Sequence, residues 1–144
     1  MVTVTVKGEY DVDAQTLWRH VVRYDTLQAL MNAGAVRVAL PEGEEREGDD
    51  VQLTFRLWGR LPVGRWRIRV VERDDARLRL RSEESGAGVR RWAHTIQIAP
   101  VAPARARQTD TIEIEAGILT PLIAAFARRE YAARHRARAR LLAR

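Results

Sequence analysis

Val2, Val4 and Val6 alternate with threonine and lysine, and this period of two predicts a first strand running to about Tyr10. The period then changes. Leu17, Trp18, Val21 and Val22 recur at helical spacing, as do Leu27, Leu30 and Met31, so two short helices follow the strand. Asp11 or Asp13 stands where it can cap the first helix, and Asn32 and Gly34 close the second. Val36-Arg37-Val38-Ala39-Leu40 predicts another strand, and the acidic, glycine-bearing stretch from Pro41 to Asp50 reads as a turn.

From there the chain reads as a meander. Val51, Leu53, Phe55 and Leu57 alternate with polar residues; Gly64, Trp66, Ile68 and Val70 alternate with Arg65, Arg67 and Arg69; Leu78 and Leu80 alternate with Arg77, Arg79 and Arg81. Two more alternating runs follow, Trp92 to Ile98 and Gln108 to Glu115. Regular turns between short strands argue for an antiparallel sheet. The last predicted element is one long helix from about Leu119, with Leu119, Leu122, Ile123, Phe126, Glu130, Ala133, Ala137 and Leu141 as its inner stripe. Pro121 is tolerated there because the first helical turn has no use for its missing N–H.

Strands feeding a long helix imply a curved sheet wrapped around that helix, with a cavity between the two layers. His94 and Asp110 share the apolar parity of their strands and so point inward, where a polar group is costly unless paired. If those strands are antiparallel neighbours, the two side chains lie opposite or diagonal on one face. Such a pair is either a general base with its orienting carboxylate, acting on a bound ketone or enol, or a buried hydrogen bond that fixes register. Glu130, inside the apolar stripe, either joins them or pairs with Arg134 one turn on. Phe55, Trp66 and Trp92, with Ile112 and Phe126, either line an apolar ligand cavity or fill the core outright. Trp18 and Trp58 fall on no clear face.

The order of elements, strand, two short helices, six-strand meander and long helix, resembles the START-like helix-grip fold, and the residues resemble its polyketide cyclase/dehydrase-like (SRPBCC) branch. Three stretches carry the likeness: Val12-Asp13-Ala14-Gln15-Thr16-Leu17-Trp18; Trp92-x-His94 with Thr109-Asp110-x-Ile112; and Ala116-Gly117-Ile118-Leu119-Thr120-Pro121 running into Phe126, Tyr131, Arg134 and Arg138. The resemblance implies an α+β domain that binds hydrophobic ligands, carries lipids, or acts as an aromatase/cyclase. One fold hosts many activities, so it narrows function less than architecture.

Composition changes this picture little. At 144 residues, 46% hydrophobic and 31% charged, the chain suits one folded domain. It has no cysteine, which excludes disulfides and thiolate metal sites. The opening reads as a strand rather than a signal peptide and no run is long enough to span a bilayer, so a cytoplasmic home is the default expectation. The net charge of +6 fits an anionic partner, but Lys7 is the only lysine among 25 basic residues, an arginine skew that a GC-rich genome produces. Arg65, Arg67, Arg69, Arg77, Arg79 and Arg81 share one outer face, either as an anion-binding patch or as a solvated face offset by Glu83 and Glu84. No aromatic of that parity is available to stack on bases, so no specific nucleic acid is expected. The basic tail from Arg128 reads as a solvated back face in preference to a membrane-docking helix. His20, His94 and His135 are scattered without metal-ligand spacing, and no nucleophile elbow, phosphate loop or dinucleotide fingerprint occurs.

The sequence thus predicts a single helix-grip domain over residues 1–144 that binds a small hydrophobic molecule, such as a lipid, polyketide or isoprenoid, without metal or cofactor. The expected binding residues are Phe55, Trp66, Trp92, His94, Asp110, Ile112, Phe126 and Glu130. The alternatives are a cyclase, dehydratase or aromatase with His94 as base and Asp110 as its orienter, or an interaction protein using the arginine face. A homodimer is compatible with all three.

Overall fold

The computed structural model describes residues 1–34, 36–57 and 61–144. Its elements run β1 (Val2–Tyr10), α1 (Ala14–Val21), α2 (Tyr24–Ala33), β2 (Val36–Arg37), β3 (Asp50–Leu57), β4 (Leu61–Asp74), β5 (Arg79–Gly86), β6 (Val89–Ala102), β7 (Arg105–Glu115) and α3 (Thr120–Leu142). The seven strands form one antiparallel sheet in the order β1-β7-β6-β5-β4-β3-β2, so the six later strands are a meander and β1 closes on the last of them. Register shifts in β3/β4, β4/β5, β5/β6 and β6/β7 mark bulges, which bend strands and raise their twist. At one of them Gly86 has φ +136°, and a Cβ there would run into the carbonyl of Arg65. The curled sheet grips α3, which packs chiefly on β1. This is the α+β helix-grip architecture that the pattern of elements predicts.

Local chemistry accounts for the ends. Asp13 caps α1, its Oδ1 accepting from the Thr16 N–H at 2.9 Å. Pro121 lies in the first turn of α3, after a 3₁₀ turn over Gly117–Leu119. The strand expected over Val36–Leu40 is only two residues long; beyond it the backbone bonds to side chains, Val38 N–H to Asn32 Oδ1 and Leu40 N–H to Gln28 Oε1, instead of to a strand. Trp18 is buried on α1, with its indole N–H on Asp75, while Trp58 lies outside the described residues.

Two apolar clusters fill the space between layers. One joins β1, α2, the inner ends of the strands and α3 through Val4, Met31, Trp66, Trp92, Ile112 and Ala127. The other joins α1 to the sheet through Tyr10, Leu17, Trp18, Val70, Leu80 and Ile98. The inward face of α3 differs from the expected stripe. Thr120, Ala124, Ala127, Tyr131, His135 and Arg138 are buried along with Glu130 and Ala137, whereas Leu119 and Leu122 are exposed, Leu122 at 66%. Small alanines let the helix approach the sheet closely, and the long polar side chains reach a polar centre behind them.

The outer arginines are matched by acids. Arg67 pairs with Asp50 at 2.8 Å, Arg79 and Arg81 with Glu72 at 2.7 and 3.6 Å, and Arg69 stands opposite Glu83 in register. Acids thus offset much of the charge on this face. Among the described residues, no helix is long and apolar enough to cross a membrane.

Candidate functional site

Where the two apolar clusters meet, a polar chain crosses the interior. In the β6/β7 register His94 faces Ile112 and Asp110 faces Ile96, so the two side chains are diagonal neighbours on the inner face. They meet, His94 Nε2 lying 2.6 Å from Asp110 Oδ1. The second carboxylate oxygen accepts from His135 Nε2 at 2.6 Å and from Gln108 Nε2 at 3.0 Å. Beyond the imidazoles stand two tyrosines: Tyr10 Oη on His135 Nδ1 at 2.5 Å, and Tyr131 Oη on His94 Nδ1 at 3.4 Å. The result is a Tyr10–His135–Asp110–His94–Tyr131 relay drawn from β1, α3, β7 and β6.

Its proton positions follow from donor counting. Burial alone would raise the Asp110 carboxyl, which is only 2% exposed, but hydrogen bonds and charge from His135 and His94 hold it well below the usual carboxylate range. An ionised Asp110 can only accept, so both imidazoles donate through Nε2, and in their neutral forms both carry the lone pair on Nδ1. His135 spends that lone pair on Tyr10. His94 Nδ1 is held more loosely, at 3.4 Å from Tyr131 and 3.9 Å from Glu84 Oε2. Burial keeps both tyrosine hydroxyls protonated by raising their pKa.

Backbone geometry makes room for this chain. Gly8 of β1 stands opposite Gln108, and a Cβ on it would collide with the His135 ring. Glu84 on β5 is anchored by the Trp66 indole N–H at 3.0 Å and the Ser82 hydroxyl at 2.9 Å. Arg134 lies over the Tyr131 ring at 4.5 Å and 3.6 Å from Glu130. Burial works against its charge, but Tyr131, Glu130 and Glu84 more than restore it. Arg138, 6% exposed, has its pKa lowered by burial, and its Nη1 has no hydrogen-bond partner among the described residues.

His94, Asp110, His135, Gln108, Tyr131, Glu84, Arg134 and Arg138 line a cavity of about 50 Å³ with Val21, Leu30, Met31, Ile68, Leu80, Ile96 and Glu45. Of the expected site residues, the structure brings His94 and Asp110 to it. Phe55, Trp66, Trp92, Ile112, Phe126 and Glu130 are not on its wall. Phe55, Trp66 and Trp92 instead pack edge to face, with ring centroids 5.8 and 5.7 Å apart, and Trp92 leans on Tyr131. Ile112 and Phe126 belong to the same apolar cluster. Glu130 sits under Gly34, where any side chain would overlap its carboxylate. The aromatics thus pack on one another beside the cavity, while Tyr131, Arg134, His135 and Arg138 of α3 reach into the cavity between its apolar walls. Drug-sized ligands occupy roughly 300–1,000 Å³, so only one functional group of a ligand fits the space as it stands.

Sequence reasoning missed His135, Glu45, Tyr10, Gln108 and Arg138. Gln108 shares the parity of Asp110, and His135 lies four residues beyond Tyr131 on the same helix face, so both carried a usable signal. Glu45 carried none, being one of several glutamates in an aperiodic turn.

Residues 9–142 match the model of the family described as Domain of unknown function (DUF8410). The chain belongs to this family. Solved structures similar to this DUF8410 chain share its fold at low identity. A Chromobacterium violaceum protein is 15% identical, with a TM-score of 0.77 over 98% of this chain and 97% of that one. The Zhui aromatase/cyclase from a Streptomyces species is 16% identical, with a TM-score of 0.67 over 94% and 90%. A START superfamily protein from Mycobacterium smegmatis is 12% identical, with a TM-score of 0.67 over 95% and 94%. The fold of the DUF8410 chain is START-like. No curated protein matches its sequence.

Proposed function

We propose that the cavity receives the carbonyl end of a small, largely apolar molecule and that His94 moves a proton on it. The observation that carries this reading is the fixed tautomer of His94: an ionised Asp110 holds its Nε2–H, leaving Nδ1 as a base beside the cavity. Glu84 on the other side stabilises the imidazolium that forms when Nδ1 takes a proton. The fold shared with an aromatase/cyclase supports an enzymatic reading, and the step open to His94 is deprotonation of an enolisable ketone at its α-carbon. Asp110 is a positioning residue that sets the ring and its tautomer.

Deuterium exchange into the α-position of cyclopentanone, followed by proton NMR in heavy water, tests the reading. The protein should accelerate exchange, and His94→Ala should lower the rate on the order of 100-fold while leaving the fold intact. Equal rates for the two proteins would remove His94 from the chemistry.

Carriage of a lipid, polyketide or isoprenoid is the second reading, supported by the fold shared with a START superfamily protein. It requires the layers to part well beyond the present 50 Å³. A hydrophobic molecule retained in native mass spectrometry, with no exchange activity, would favour carriage over proton transfer.

A further inference from the structure

Glu45 is the cavity's least explained group. It lies in the connection between β2 and β3, where acidic residues ordinarily face water, yet it is only 5% exposed and lines the cavity. The backbone drives it inward. Its N–H donates to Val22 O at 2.7 Å and its carbonyl accepts from Arg73 Nη1 at 3.0 Å. On either side, Tyr24 N–H bonds Gly43 O at 2.9 Å, Gly48 N–H bonds Val70 O at 2.9 Å, and Arg73 pairs with Glu44 at 3.2 Å. A segment pinned at this many points is a strap, and the side chain it presses inward is held there.

The Glu45 carboxyl makes no hydrogen bond among the described residues, whereas neighbouring Glu84 has two donors. Of two nearby carboxyls in a buried site, the one with no donors is the one that keeps a proton. Charged and titratable groups face Glu45 from every side: Glu84 from β5, Arg73 from β4, Arg138 from α3, Tyr24 from α2 and Asp49 from its own strap. Burial and then the Glu84 charge push its carboxyl up to about 8, against the pull of Arg138 and Arg73.

We propose that Glu45 is the acid of this cavity, a catalytic residue that protonates the carbonyl oxygen of an enolisable substrate while His94 takes the α-proton. This rests on the reading of His94 above. The step balances within the site. The α C–H pair becomes the C=C bond of the enol, the carbonyl π pair moves to oxygen, and the Glu45 proton joins that oxygen. Glu45 is left a carboxylate and His94 an imidazolium, which Asp110 and Glu84 flank. Reversal with a deuteron on the imidazole completes one exchange. Two groups with opposed environments, one kept protonated and one kept basic, are how a single site supplies acid and base at the same pH.

The test measures cyclopentanone exchange across pH for the whole chain, Glu45→Gln and His94→Ala, with circular dichroism to confirm folding. The intact protein should lose rate above pH about 8, as Glu45 gives up its proton. Glu45→Gln should be slower on the order of 100-fold and should lack that alkaline fall, since an amide donates a hydrogen bond but no proton. A Glu45→Gln protein matching the intact one in rate and profile, with His94→Ala inactive, would overturn the role of Glu45 and leave His94 standing. Absence of exchange in the intact protein overturns both. Carbon-13 titration of glutamate carboxyls supplies a readout independent of activity: the signal lost in Glu45→Gln should titrate near 8, and a signal already ionised at neutral pH would overturn the proposal.

Discussion

Asp110 accepts three hydrogen bonds on two oxygens, two of them from imidazoles at 2.6 Å, and every other member of the relay takes its orientation from it. Hydrogen bonds to charged groups contribute about 1.5–3 kcal/mol each. Asp110→Asn keeps one acceptor but points an NH₂ at the other imidazole, so it should cost about 3 kcal/mol in urea denaturation. The pH dependence has a definite sign. The folded carboxyl lies below its unfolded value, so its contribution is fully present above pH about 4 and is lost as pH falls below that. The gap between wild type and Asp110→Asn should accordingly close in acid. Gly8→Ala belongs to the same argument, since its methyl would meet the His135 ring; overpacking of this kind costs about 1–3 kcal/mol. The pair at the centre was legible in the chain because a strand has a strict period, and parity alone sent His94 and Asp110 inward. Gly8 was not legible as the opening for His135, because that requires knowing which helical residue crosses β1.

The α3 helix shows where pattern reading fails for an element. Of the predicted stripe, Leu119 and Leu122 are exposed, Ile123 and Phe126 pack on the core and Glu130 and Ala137 are buried, yet the buried face also runs through Ala124, Ala127, Tyr131, His135 and Arg138. A hydrophobicity stripe assumes that the inner face is the greasy one. Here the inner face needs small residues for close approach and polar ones to reach Asp110, so size and hydrogen bonding decide it. Ala127 is fully buried, and Ala127→Leu should destabilise by about 1–3 kcal/mol. Leu122→Gln should stay within about 0.5 kcal/mol, because the side chain is already in water. Urea denaturation of the two variants checks the orientation directly, and the stripe predicted from sequence demands the reverse order. The strands fared better: β3, β4 and β7 bury the alternate residues that the pattern selects, and the meander order follows from short turns.

At the scale of the whole molecule, the proposed role of Glu45 makes the acidic strap a place where stability is given up for chemistry. The connection between β2 and β3 presses the Glu45 carboxyl into the cavity, whereas Glu42, Glu44 and Glu47 on the same connection are exposed. A carboxyl whose folded pKa is raised acts oppositely to Asp110. Between its unfolded value of about 4.3 and its folded value of about 8, the folded chain holds a proton that the unfolded chain has released. Stability therefore falls as pH rises through that window and levels off above it. Glu45→Gln has no proton to hold and keeps the same shape, so it should be more stable than wild type. The difference should be negligible near pH 4, grow through neutrality and reach on the order of 5 kcal/mol above pH about 8. Thermal or urea denaturation at a series of pH values measures it. A constant difference across the range would mean that the carboxyl ionises freely, and the strap would then be only a connection. A difference that grows with pH, alongside slower exchange, is the pattern of a group kept for chemistry at a cost to the fold. It would also explain why the strap is bonded so heavily to Val22, Val70 and Arg73: the backbone must oppose the tendency of that one side chain to leave.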